Sequence, residues 1–134
     1  MGKMNSLILY ETDKLLLLHE WEMAFLIDKR SDSVLLQEEY VGDPTSGLID
    51  EGNKWAVVAG DHLTIWIEGK KLNVDELTEI HSIRLKNADT IEVLIDPWSA
   101  KSSVWKLNVK TLEKSKIRDF FEYIDKPYTE EVNW

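Results

Sequence analysis

The apolar residues of this chain occur in short runs separated by turn-forming residues, and this rhythm is typical of β-strands. The strand–turn–strand pattern of a hairpin is found in four stretches, residues 7–20, 24–37, 55–67 and 91–109. A further strand is predicted over residues 80–86. Between the second and third hairpins, residues 41–53 contain three Gly and one Pro, which predicts the one long loop of the chain. The fold is therefore expected to be mainly β.

Runs of consecutive apolar residues indicate how these strands are covered. Residues 15–18, 25–27 and 55–59 do not alternate with polar residues, whereas a strand with one face in water does. Such strands must lie between two layers. Antiparallel hairpins in a two-layer sandwich and a propeller-like fragment of stacked blades both satisfy this requirement. The 134 residues are too few to close a ring of blades of ~40 residues each, and they predict a single domain over residues 1–134.

The segment 111–125 is compatible with two structures. One pattern in this segment is the spacing of a helix face, which is shown by four apolar residues, Ile117, Phe120, Phe121 and Ile124. This pattern predicts a C-terminal helix near 115–125, with Ser115 as its N-cap. The alternative is a hairpin whose turn lies at 111–115, and both remain open at this point.

Composition excludes several classes of function. A net charge of −9 opposes binding to nucleic acid or to an anionic membrane, because both are contacted through Lys and Arg. The chain has no Cys, and we find no glycine-rich phosphate loop and no metal-ligand spacing among its His residues. We therefore expect a protein that is not an enzyme, with no cofactor and no metal. No signal peptide or membrane-spanning segment is recognised, which predicts a cytoplasmic location.

The acidic residues are unevenly distributed over the predicted hairpins. In an up-and-down arrangement, hairpin tips lie at one end of the sheets and the connections between hairpins at the other. Six acids and four bases fall in the tips, residues 11–14, 28–33, 60–61 and 96–102. Ten acids and three bases fall in the connections, residues 19–22, 38–54 and 68–76. This predicts a negative pole at the end of the sheets that carries the connections. Solubility alone would explain carboxylates spread over the surface, whereas carboxylates concentrated at one end would also attract a basic protein.

Six Trp residues are the other unusual feature of the composition. Trp55, Trp66 and Trp105 lie within apolar strands and are expected in the core. Trp98 follows Pro97 at a hairpin tip, where a rigid aromatic side chain can anchor a partner. Exposed Trp side chains also suggest a carbohydrate-binding module as an alternative function.

In its size, acidity and hairpin construction the chain resembles a class of small acidic bacterial immunity proteins. The features that carry the resemblance are the acidic loop 38–43 and the tail 125–134. Immunity proteins of contact-dependent growth inhibition and other polymorphic toxin systems are cytoplasmic and non-enzymatic, and each binds one toxin. The resemblance implies that this chain covers the basic active site of a cognate toxin, often a nuclease, with an acidic surface.

From the charge pattern and this resemblance we predict a partner-binding surface. Its residues are Glu20, Glu22, Glu38, Glu39, Tyr40, Asp43, Asp50, Glu51 and Trp98. The alternatives are the carbohydrate-binding module and a structural interaction subunit of a larger complex.

Overall fold

The computed structural model describes residues 6–134, which form three four-stranded antiparallel sheets. We call the sheets blades 1, 2 and 3 in chain order. Blade 1 consists of β1 (Ser6–Glu11), β2 (Leu15–Glu20), β3 (Met23–Asp28) and β4 (Ser33–Glu39). Blade 2 consists of β5 (Ser46–Ile49), β6 (Trp55–Ala59), β7 (Leu63–Ile67) and β8 (Lys70–Val74). Blade 3 consists of β9 (Ile80–Asn87), β10 (Thr90–Ile95), β11 (Ser103–Asn108) and β12 (Lys114–Asp119).

In every blade, consecutive strands are neighbours, so the chain crosses each sheet from one edge to the other. The first strand of each blade is the inner one, because β5 contacts both β1 and β9. The propeller-like alternative is therefore the arrangement that the structure shows, with blade 2 between blades 1 and 3.

Blade 2 is covered on both faces by hydrophobic cores. On β6, Trp55 and Val57 belong to the core between blades 2 and 3, whereas Ala56 and Val58 belong to the core between blades 1 and 2. Successive side chains of a strand point to opposite faces, so a strand between two cores is apolar at every position. This confirms the prediction made from the run 55–59.

The two outer faces of the stack differ. On blade 3, Leu94 and Val104 pack with Phe120, and Val132 and Trp134 of the C-terminal segment pack against this cluster. On blade 1, the outer face includes Ile8 and Val34, which are 60% and 52% exposed. The C-terminal segment thus covers one end of the stack, while apolar side chains reach solvent at the other.

The helix predicted near 115–125 is not formed, and the hairpin alternative is correct. β12 pairs with β11, and the turn between them spans residues 109–113. A helix face would bury Ile117 and Phe121 together with Phe120, but those two are 45% and 50% exposed while Phe120 is fully buried. The pairing of β12 with β11 and the burial of Phe120 therefore stabilise a strand here, in spite of the helical spacing of the apolar residues. Within the described range, no helix is long and apolar enough to cross a membrane.

The long loop predicted over 41–53 contains the inner strand β5. A Cβ atom on Gly47 would lie 2.5 Å from Leu17 Cδ2 and 3.0 Å from Leu9 Cβ. Glycine inside a strand often marks a position that another part of the protein approaches closely. The glycines that suggested a loop therefore include one that lets blades 1 and 2 pack together.

Candidate functional site

The loops at the two ends of the strands differ in charge. At one end, which we call the acidic end, lie residues 21–22, 40–45, 60–62, 75–79 and 96–102. They carry seven acids and one base, namely Glu22, Asp43, Asp61, Asp75, Glu76, Glu79 and Asp96 against Lys101. At the opposite end, which we call the mixed end, lie residues 12–14, 29–32, 50–54, 68–69, 88–89 and 109–113. They carry seven acids and five bases.

The molecule thus has a negative pole, but its composition differs from the predicted one. The presence of β5 divides the connection 38–54 into a loop at the acidic end and a hairpin turn at the mixed end. Strand β8 divides the connection 68–76 in the same way, so residues 68–69 lie at the mixed end and residues 75–79 at the acidic end. The tips at 60–61 and 96–102 also lie at the acidic end. The pole is also held together by the backbone, since the Tyr40 N–H donates to Glu22 O and the Asp96 N–H donates to Glu79 O, at 2.8 and 2.9 Å.

Four of the predicted contact residues line one cleft at the acidic end. We call it the acidic cleft; it has a volume of about 530 Å³, and it is formed by Glu20, Trp21, Glu22, Met23, Glu39 and Asp43. Glu22 Oε2 accepts a hydrogen bond of 2.7 Å from the Gly42 N–H, which ties the loop 40–45 to the hairpin turn beside it. Within residues 6–134, the other three carboxylates make no hydrogen bond or ion pair.

Trp21 is the most exposed aromatic group of this cleft. Its side chain is 67% exposed, and its backbone is left-handed with φ of 54°. This conformation costs an L-residue other than Gly roughly 1–2 kcal/mol. The buried His19 stabilises the turn, because its Nδ1 lies 2.9 Å from Trp21 O. The indole is therefore presented to solvent by an ordered turn.

Glu38 faces away from this cleft, toward blade 2. Its Oε2 accepts hydrogen bonds from His62 Nε2 and Asn73 Nδ2 at 2.8 and 3.3 Å, and its Oε1 lies 2.8 Å from Lys71 Nζ. Burial raises the pKa of Glu38, but hydrogen bonds from Lys71 and His62 together hold it below the ordinary value. With a side chain only 12% exposed, Glu38 joins two blades and is not placed on the outer surface.

Tyr40 belongs to the same network from inside the core. It is 2% exposed, its ring stacks on His62 at 4.3 Å between centroids, and its hydroxyl donates to Thr64 Oγ1 at 2.7 Å. The Thr64 hydroxyl in turn donates to Asn73 Oδ1 at 2.8 Å. Burial raises the pKa of Tyr40, so the phenol stays protonated and keeps this donor. A direct contact between the Tyr40 side chain and a partner is incompatible with its burial.

His62 lies in the turn between β6 and β7, where a His side chain could in principle act as a general base. Its Nε2 lies 2.8 Å from Glu38 Oε2, and its Nδ1 lies 3.2 Å from Asp61 Oδ1. Both ring nitrogens thus face carboxylates of the protein, and neither is directed to an open substrate site. In the part of the chain that the structure describes, no group of three His, Asp or Glu side chains is arranged to hold a metal ion.

Asp50 and Glu51 lie at the mixed end and are separated from the other predicted contacts. They belong to the β5–β6 turn, in which Asp50 Oδ2 accepts a hydrogen bond of 3.2 Å from the Lys54 N–H. Asn53 of the same turn contacts Thr12, which lies in the β1–β2 turn. A single partner surface at the acidic end therefore excludes Asp50 and Glu51.

Trp98 lies at the acidic end and packs against the C-terminal segment. Its ring centroid is 5.0 Å from that of Tyr128 and 5.8 Å from that of His81. Trp98 is half-buried and lines a second cavity, which is separate from the acidic cleft. Sequence analysis thus identified this Trp correctly as a residue of a loop, but missed that Trp21 is the more exposed one. The hydrophilic surroundings of Trp21, between Glu20 and Glu22, were the signal for its exposure.

Comparison with known proteins supports the fold and no more than the fold. No model of a protein family matches the chain, and no curated protein matches its sequence. Among solved structures, the chain is similar to the β-propeller domain of Cps50 (Swd1) from Myceliophteria thermophila, with a TM-score of 0.61 at 10% sequence identity. The similarity covers 85% of this chain and 39% of that one. The chain thus has a fold similar to part of a β-propeller.

Proposed function

We propose that this chain is a non-enzymatic binding protein whose acidic end docks on a basic protein. The observation that carries the proposal is the acidic cleft, in which Glu20, Glu39 and Asp43 surround the exposed indole of Trp21. An aromatic side chain beside carboxylates suits a partner surface rich in Arg and Lys, because Arg stacks on aromatic rings and pairs with carboxylates.

The magnitude of this interaction depends on how far the partner buries the carboxylates. A charge pair that stays exposed contributes about 0.2–1 kcal/mol, whereas loss of one partner from a buried pair costs about 2–5 kcal/mol. The seven acids of the acidic end also attract a basic protein at a distance, which raises the association rate at low salt.

The outer face of blade 1 adjoins the cleft and extends the proposed surface. Glu20 and Glu39 lie at one end of this face, in register with Met23. Further along the same face lie Ile8 and Phe25, which are exposed and half-buried, respectively. An apolar area with an acidic rim resembles a protein interface. A second copy of this chain would place like charges together, so charge complementarity favours a basic partner.

We further propose that this partner is a bacterial toxin, in keeping with the resemblance to immunity proteins, and that the two proteins meet in the cytoplasm. Nuclease active sites hold phosphates with basic side chains, so an acidic surface can cover such a site. The similarity to a propeller domain supports a second candidate, a structural interaction subunit that uses the same surface without neutralising a toxin.

Growth rescue distinguishes the two candidates. Toxin domains encoded beside the gene of this chain are expressed in a sensitive bacterium, with and without the chain. An immunity protein restores growth by several orders of magnitude in colony count against one of them. A structural subunit is recovered in complexes from its native cell but restores no growth.

Matched charge reversals then test the surface. One variant carries Glu20→Lys, Glu39→Lys and Asp43→Lys in the acidic cleft, and a control carries Glu51→Lys, Glu68→Lys and Glu113→Lys in exposed turns of the mixed end. Both variants have the same net charge. We expect the first to lose protection and the control to keep it. Equal protection by both would show that the acidic cleft is not the docking surface.

A further inference from the structure

The cavity beside Trp98 is a second recess at the acidic end. It measures about 470 Å³ and is lined by aromatic and acidic side chains, among them His81, Trp98, Tyr128, Glu79 and Asp96. This volume is within the range of roughly 300–1,000 Å³ that is usual for ligand pockets. Tyr128 is 73% exposed, so the aromatic wall is accessible from solvent.

The turn that carries Trp98 is ordered. The backbone N–H of Trp98 donates to Asp96 Oδ1 at 3.0 Å, and the Ser99 N–H and hydroxyl both donate to Asp96 O at 3.1 Å. The Trp98 indole also contacts the rings of His81, Tyr123 and Tyr128, whose centroids lie 5.8, 6.0 and 5.0 Å from its own. The aromatic wall is therefore held in place before any ligand arrives, which reduces the entropy lost on binding.

The cavity has a negative charge. Glu79 and Asp96 line it, and no Lys or Arg does. Burial lowers the pKa of His81, and the nearby Asp96 only partly offsets this, so the imidazole adds no positive charge at neutral pH. A cationic group is the ligand that such an electrostatic environment favours.

The same chain already holds a guanidinium with these chemical groups elsewhere. On blade 3, the guanidinium carbon of Arg84 lies 3.9 Å from the centroid of the Trp134 ring. Arg84 Nε also donates to Glu92 Oε1 at 2.7 Å. An indole face and a carboxylate thus bind one guanidinium, in agreement with the general preference of Arg for stacking and planar pairing. The cavity beside Trp98 has both groups and no guanidinium of its own.

We propose that this cavity binds the guanidinium of an arginine side chain that the basic partner presents. The guanidinium stacks on the Trp98 and Tyr128 rings, and Glu79 accepts its hydrogen bonds. This inference rests on the proposed function for the source of the arginine, but the cavity can be tested without any partner.

A titration followed by NMR tests the cavity directly. The probe is Nα-acetyl-L-arginine methylamide, and the corresponding citrulline derivative is its uncharged analogue. The indole signal of Trp98, assigned with a Trp98→Phe variant, should move saturably with the arginine probe and not with citrulline. Equal responses to both probes, or no response of the Trp98 signal to either, would overturn the proposal.

The chain offers a matched control for the carboxylate. Glu79 and Glu68 are both exposed residues with φ of 51°, and they lie at opposite ends of the strands. Glu79→Gln should weaken arginine binding about two- to fivefold, and Glu68→Gln should leave it unchanged. Tyr128→Ala, in an exposed part of the C-terminal segment, should also weaken it. Equal affinity of the two Gln variants would remove Glu79 from the site.

The charge reversal of the acidic cleft separates this proposal from the proposed function. That variant should bind the arginine probe as the wild type does, because none of its substitutions lines the cavity. Loss of toxin protection with intact arginine binding leaves both proposals standing. If the wild type protects against a toxin but does not bind the arginine probe, only the proposal for the cavity is refuted. If it binds the arginine probe but protects against no toxin, only the proposal of toxin neutralisation is refuted.

Discussion

Glu38 and Glu39 are adjacent carboxylates with different environments, and their replacement should have different effects. Glu38→Ala removes the acceptor of His62 Nε2 and Asn73 Nδ2 from a position where the Glu38 side chain is 12% exposed. Glu39→Ala removes an exposed side chain, which has no hydrogen-bond partner among residues 6–134. The first should lower the stability of the protein, and the second should not.

The magnitude for Glu38 follows from its contacts. A hydrogen bond to a charged group contributes about 1.5–3 kcal/mol, whereas the pair with the 47%-exposed Lys71 contributes about 0.2–1 kcal/mol. We therefore expect Glu38→Ala to reduce the free energy of unfolding by about 2–4 kcal/mol, and Glu39→Ala to change it by less than about 0.5 kcal/mol.

Urea denaturation followed by Trp fluorescence measures both effects. With an m-value of about 2 kcal/mol/M, Glu38→Ala should lower the urea midpoint by about 1–2 M without changing m. Glu39→Ala should have the same urea midpoint as the wild type. If the acidic cleft is the docking surface, this variant should also bind the partner more weakly. Equal stabilities of the two variants would refute the assignment of Glu38 to the joint between blades 1 and 2.

Two further predictions concern the same joint. The pKa of Glu38 in the folded protein is below its ordinary value of 4.5, so the stabilisation that ionised Glu38 provides is present above that value and is lost as the pH falls through the lower folded pKa. The urea midpoints at pH 7 and pH 3.5 should therefore differ less for Glu38→Gln than for the wild type. An equal difference in the two proteins would contradict this prediction. Gly47→Ala should reduce the free energy of unfolding by about 1–3 kcal/mol, because it forces a Cβ atom against Leu17. Gly52→Ala is the control, since the atom nearest to its added Cβ would be 3.4 Å away. Equal urea midpoints of the two variants would show that blades 1 and 2 adjust to the added methyl group without cost.

Much of the fold could be predicted from local sequence. The consecutive apolar residues of β6 required cover on both faces, and they lie in the two cores between blades. In β2 the same pattern overstates the cover, because only Leu15 and Leu17 belong to the core between blades 1 and 2. The inner strand β5 could not be predicted, because a glycine that permits close packing has the same sequence signature as a glycine in a loop. The C-terminal helix face was also misleading, since the decisive contact of Phe120 is with Val104 and Leu94, which lie far from it in the sequence.

The candidate site was less predictable for a related reason. Adjacent residues of a strand point to opposite faces, so the pair Glu38–Glu39 divides between the joint of two blades and the acidic cleft. A single unrecognised strand also moved Asp50 and Glu51 to the mixed end. Charge along the sequence indicated that a negative pole exists, but strand count and register determine which carboxylates form it.

If the acidic cleft binds a basic partner, the dissociation constant of the complex must depend on the carboxylates of the cleft. Calorimetric titration of the toxin domain that the chain neutralises, at ~0.15 M salt, is carried out with the wild type and the two charge-reversal variants. We predict that reversal of Glu20, Glu39 and Asp43 weakens binding at least about tenfold, and that the mixed-end control stays within about threefold of the wild type. Equal weakening by both variants would contradict binding at the acidic cleft, because it would mean that net charge, and not this cleft, determines the affinity.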